Sequence, residues 1–156
     1  MTMKEKILEA FSDLGFKLTK NDDWGYAFDY ERLKLLYMPN DNDDEFLSIA
    51  VPGICDCEED NVLLVTSLTE KINSTLKYIK ANILAKSVWL FYERELISDD
   101  EDMMLVISHM IDRLEAAHSF AMRTIEEIVK SMGDDSADES DAEEVIDGET
   151  SDDDEN

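Results

Sequence analysis

Residues 24–53 read WGYAFDYERLKLLYMPNDNDDEFLSIAVPG, and the first seven of them alternate at period two. Trp24, Tyr26, Phe28 and Tyr30 fall on one side of an extended chain, with Gly25, Ala27 and Asp29 on the other, which is the pattern of an aromatic β-strand. Glu31-Arg32 is a tight connection to a second strand over 33–38, which ends at Pro39. The acidic run 40–45 is a turn, and 46–51 is a third strand, stopped by Pro52-Gly53. Parallel neighbours need a crossover of about a dozen residues. Three strands joined by such short links are therefore an antiparallel meander.

The flanks have helical period. Thr2 followed by Glu5 is a capping-box pattern, and Ile7, Leu8, Phe11 and Leu14 repeat until Gly15, so a helix of about three turns precedes the meander. Downstream, 56–77 is read as a helix with Leu64, Leu68 and Ile72 on one stripe. Its early residues are acidic and its end basic, as the helix dipole favours. Residues 78–84 and 88–96, rich in β-branched and aromatic side chains, form a hairpin across Ala85-Lys86-Ser87. Ser98 and Glu101 make a second capping box, opening a helix that runs unbroken to Met132. Its stripe is Ile107, Ile111, Leu114, His118, Ala121, Ile125 and Ile128, widened by Met103, Met110, Ala117 and Phe120.

These elements describe an α+β fold of order α-βββ-α-ββ-α, a twisted antiparallel sheet of about five strands with helices packed on it. Thirty residues of helix make a rod of about 45 Å. A globule of this size is only about 36 Å across, so part of the apolar stripe is expected to overhang the sheet. Residues 1–132 are read as a single domain. The segment 133–156 holds 13 of the 39 acidic residues and no Lys or Arg. With only Val145 and Ile146 as large apolar residues, it is expected to be a disordered acidic tail.

The charge narrows the classes of partner. Without the tail, 26 acidic residues stand against 14 basic ones, a net charge of −12. DNA, RNA and anionic lipid attract Lys and Arg, so neither nucleic acid nor a membrane is expected as partner. No apolar run approaches the roughly 18 residues needed to span a bilayer. Glu5 and Glu9 interrupt what would be the apolar core of a secretory signal, and Cys55 and Cys57 are too close in sequence for an unstrained bridge. A cytoplasmic protein with reduced thiols is the expectation.

No residue pattern spells a reaction. Cys55 and Cys57 supply two thiolates where structural zinc needs four ligands, and His109 and His118, nine residues apart on one helix, face opposite ways. The run Asp41-Asn42-Asp43-Asp44-Glu45 opens like a calcium loop but has Phe46 where that loop needs Gly. Phosphate-binding glycine motifs and a nucleophile elbow are absent from the sequence. The expectation is a protein that is not an enzyme and uses no metal or cofactor. Flexible methionines crowd the last helix. Met103, Met110, Ala117 and Phe120 are the candidate protein-interaction residues.

Several stretches, namely WGYAFDY, FLSIAVPGI, EKINSTLKYIKANI with Asn73 and Lys77 to Lys80, VWLFYEREL and the last helix, resemble the YbjN-like family, assigned to bacterial sensory transduction regulation. The resemblance covers about residues 3–130. It implies a fold like that of type III secretion chaperones, and a small acidic protein, commonly a homodimer, that binds other proteins and does no chemistry. The acidic tail departs from that pattern. Two functions are therefore expected in order: a chaperone-like or regulatory module that binds a protein partner through the long helix and sheet, and a ligand- or metal-responsive sensory regulator in which Cys55 and Cys57 take part.

Overall fold

The computed structural model describes the backbone of residues 1–137 and the side chains of residues 1–133. Helix α1 (Met3–Asp13) begins at the capping box read from the sequence: the Thr2 amide donates to Glu5 Oε1 at 2.8 Å and the Glu5 amide to Thr2 Oγ1 at 3.1 Å. It ends where Gly15 takes a φ of +94°, the left-handed step that glycine makes at little cost. Six strands follow in two groups: β1 (Thr19–Asn21), β2 (Gly25–Tyr30), β3 (Leu33–Tyr37) and β4 (Phe46–Asp56), then β5 (Ile79–Leu84) and β6 (Ser87–Glu95). Helix α2 (Val62–Thr75) joins the groups, and α3 (Met103–Ala137) closes the described chain.

All strand neighbours are antiparallel, in the order β1-β2-β3-β4-β6-β5. The sheet thus has six strands where about five were expected, the sixth being the three-residue β1. All three helices lie on one face. Ile7 and Phe11 of α1, Leu68 and Ile72 of α2, and Ile107, Met110 and Leu114 of α3 pack with Phe28, Leu35, Tyr37, Leu47, Ile49 and Leu90 into one core. Successive strand residues point to opposite faces, and the opposite face carries a smaller apolar cluster of Leu36, Ala50, Trp89 and Phe91, edged by Trp24, Ala27, Met38 and Leu84.

The structure corrects four local readings. Trp24 does not share a face with Tyr26, Phe28 and Tyr30 but joins the opposite cluster. The chain swivels at Gly25, whose φ is +111° and where a Cβ would collide with the Tyr37 carbonyl oxygen. Pro52-Gly53 does not end its strand. Instead β4 shifts register between Val51 and Cys55 and continues to Asp56, because a β-bulge accommodates the proline's missing donor. The second helix starts at Val62, after a 3₁₀ turn at Glu59–Asn61, so the acidic residues precede it and its first turn has none.

The fourth correction concerns the start of α3. Ser98 and Glu101 do not form its cap: Asp102 Oδ1 accepts from the Leu105 amide at 3.2 Å. Glu101 folds back on the incoming strand and accepts from the Ile97 amide at 2.7 Å and from Arg94 at 2.6 Å. At its other end α3 passes Gly133 and continues to Ala137. Residues 138–156, most of the expected tail, lie outside the described residues.

Candidate functional site

At 35 residues, α3 is about 52 Å long and unbroken. The burial along it decides which side chains are left over. Met110 is 1 % exposed and Ala117 2 %, so two of the four candidate interaction residues offer no surface. Both face the sheet because they share the inward arc with Ile107, Leu114 and Ala121, all buried. Met103 and Phe120 are half-buried at the margins of the core.

The apolar surface that remains lies elsewhere. Leu63 at the start of α2 and Ile128 and Met132 near the end of α3 line a groove of about 320 Å³, with Ser67, Glu127 and Ser131 along its sides. Val62 and Val129, next in sequence to lining residues, are 61 % and 51 % exposed, and Leu63 itself is 64 % exposed. The groove exists because Val62-Leu63-Leu64-Val65 is apolar all round a helical turn, and only Val65 of the four is buried. That run was the available signal in the sequence, and it lies outside the α3 stripe.

A second constellation sits at the opposite end of α3. Tyr78, in the short link between α2 and β5, has a φ of +70°, a region that a bulky side chain seldom occupies. Its ring stacks on Tyr92 of β6, centroids 5.8 Å apart and planes within 6°, and the Arg113 guanidinium of α3 lies 4.9 Å from its centroid. Beside them is a depression of about 300 Å³ whose lining adds Arg94, Leu105, Val106 and His109. Another, of about 310 Å³, lies on the other side of Arg113 and is lined by Leu76, Lys77 and Ile79 among others.

The cysteines are free and half-buried. Burial pushes both thiols up, and the neighbouring acid Asp56 adds to it, so they stay protonated near neutral pH, the less nucleophilic form. His118 is partly buried on the inward side and burial lowers its pKa, whereas His109 is exposed. Among the described residues no three His, Cys, Asp or Glu side chains gather as a metal would need. No described helix is long and apolar enough to cross a membrane.

No family model matches this sequence, and no curated protein is similar to it. Among solved structures, the chain is similar to an uncharacterized protein from Methanothermobacter thermautotrophicus, with a TM-score of 0.56 at 15 % identity over 80 % of this chain and 97 % of that one. It shares that protein's fold. YbjN from E. coli is also similar, with a TM-score of 0.49 at 12 % identity, covering 82 % of this chain and 93 % of its own. YbjN gives its name to the family that the sequence resembles. At these identities the likeness concerns the fold, and what the surfaces do is argued from the surfaces themselves.

Proposed function

We propose that this domain is a non-enzymatic protein-interaction module, chaperone-like or regulatory, and that the first polypeptide its groove takes is a second copy of the same chain. The observation that carries this reading is the groove between α2 and α3, where Val62, Leu63 and Val129 stand exposed around Ile128 and Met132. An apolar patch rimmed by polar residues marks an interaction site more often than a scattered apolar residue does. The pairing of a helix face with a neighbouring helix is also the geometry in which an amphipathic helix docks. Relative to the sequence reading, the contact moves from Met110 and Ala117 to the outer end of α3.

Sedimentation of the full chain at micromolar concentration tests the reading, and a chain that stays monomeric throughout sinks it. A ligand-responsive regulator is the second reading, favoured by the cationic and aromatic depression beside Arg113. For the metal-responsive form of that reading, no group of three His, Cys, Asp or Glu side chains gathers around Cys55 and Cys57 among the described residues.

A further inference from the structure

The chain carries 39 acidic residues and 14 basic ones, and acids line several of its concavities. Asp41, Asp43 and Asp44 line one, Asp22 and Asp23 another, and Glu127 the groove between α2 and α3. The two depressions that flank Arg113 differ. Among the described residues, neither is lined by a single Asp or Glu, while Lys77, Arg94, His109 and Arg113 all contribute to them. Arg94 is engaged by Glu101 at 2.6 Å. Arg113 makes no ion pair among the described residues, and its sequence neighbour Asp112 faces Tyr30 at 3.4 Å.

The local backbone reinforces this. Tyr78 sits at φ +70° and is 61 % exposed, where glycine or asparagine would sit without strain. Strained positions held by their surroundings gather at ligand sites. What the tyrosine adds at that position is its ring, stacked on Tyr92 and lying under Arg113. Leu105 and Val106 form an apolar wall beside it, backed by the buried Met110. Few polar groups converging on an apolar, aromatic wall is the composition of a small-molecule site, and about 300 Å³ is the lower end of their usual size.

We propose that the depression bounded by Tyr78, Tyr92 and Arg113 binds a small carboxylate with an apolar, ring-sized body. The carboxylate takes the planar fork of Arg113, which matches it in a bidentate pair, and the body lies against Leu105 and Val106. Arg94, already paired with Glu101, and His109 complete its polar rim. This site lies at the end of α3 away from the proposed dimer groove, so the two readings stand or fall separately.

Amide NMR of the full chain, titrated with benzoate, acetate and benzyl alcohol, tests the proposal. Benzoate should give saturable shifts around Tyr78, Tyr92 and Arg113 with a dissociation constant of about 1 mM or tighter. Acetate lacks the body and benzyl alcohol lacks the charge, and each should bind at least tenfold more weakly. Arg113→Gln, at an exposed position, should weaken benzoate at least tenfold. Tyr78→Gly, which suits the backbone there, should weaken it as well and serves as the second variant if the first perturbs the fold. Absence of saturable shifts, equal binding of benzyl alcohol, or undiminished binding to both variants overturns the proposal. Saturation by an Asp-rich peptide without saturation by benzoate overturns it too.

Discussion

The Trp24 ring packs on that of Trp89, centroids 5.0 Å apart, on the face of the sheet that carries no helix among the described residues. Trp89 also stacks on Phe91 at 5.9 Å and is only 4 % exposed. The uncovered face thus shelters a small aromatic core of its own, and the swivel at Gly25 delivers its lid. Trp89→Ala should lower the unfolding free energy in urea by about 3–5 kcal/mol, the range for emptying a buried aromatic site. Trp24→Ala should cost less, since Trp24 is half-buried. Equal and small losses at both positions would mean that the cluster contributes little.

Asn73 of α2 bonds the edge strand β5 with both ends of its amide: the Ala81 amide donates to Asn73 Oδ1 at 2.7 Å, and Asn73 Nδ2 donates to the Ala81 carbonyl at 3.1 Å. The side chain imitates a neighbouring strand where the sheet has none, satisfying an edge that would otherwise be free to pair. Asn73→Ala should cost about 1 kcal/mol in equilibrium unfolding and speed hydrogen exchange at the Ala81 amide. An unchanged exchange rate there would remove the bond from the account.

Burial lowers the His118 pKa below its ordinary 6.5. The unfolded chain therefore takes up this proton first, so the folded state keeps its full advantage above the unfolded value and loses it as pH falls from there through the lower folded value. Below about pH 6.5 the melting temperature should fall, and His118→Gln should flatten that fall. A variant with the same slope as the wild type would assign the pH dependence to other groups. Glu101 acts in a lower window. The Ile97 amide and Arg94 hold its carboxyl below the usual value, and the stabilisation it gives is lost as pH falls beneath the carboxylate range.

Period-two and period-3.6 patterns made most of this architecture legible in the sequence. The alternation of Tyr26, Phe28 and Tyr30, the Thr2 cap, the Gly15 stop and the α3 stripe are local, and local chemistry decided them. The misreadings arose where a distant partner decided the outcome. Glu101 has the spacing of a helix cap, but Arg94 and the Ile97 amide claim its carboxylate. Pro52-Gly53 has the look of a strand end, but β6 pairs with the chain on both sides of the bulge.

The hairpin turn Ala85-Lys86 carries φ values of +52° and +64° with neither Gly nor Asn to announce them. For the candidate surface, the sequence supplied the long apolar helix but not the share of it that the sheet covers. That is why Met110 and Ala117 proved to be core residues while Leu63, on a different helix, stands in the open.

Arg113 and Tyr78, brought together at 4.9 Å from positions 113 and 78, were likewise beyond any local reading. Arg113→Gln should lower stability by at most about 1 kcal/mol, the scale of an exposed cation–π contact. Thermal unfolding checks this, and a much larger loss would make the contact primarily structural.

Sedimentation velocity of the full chain and of Leu63→Asp, both at micromolar concentration, addresses the groove between α2 and α3 most directly. The account predicts a dimer for the wild type and a folded monomer for the variant, since Leu63 is 64 % exposed and lies outside the core. A wild type that is monomeric across the range, or a dimer indifferent to an aspartate at position 63, would contradict it.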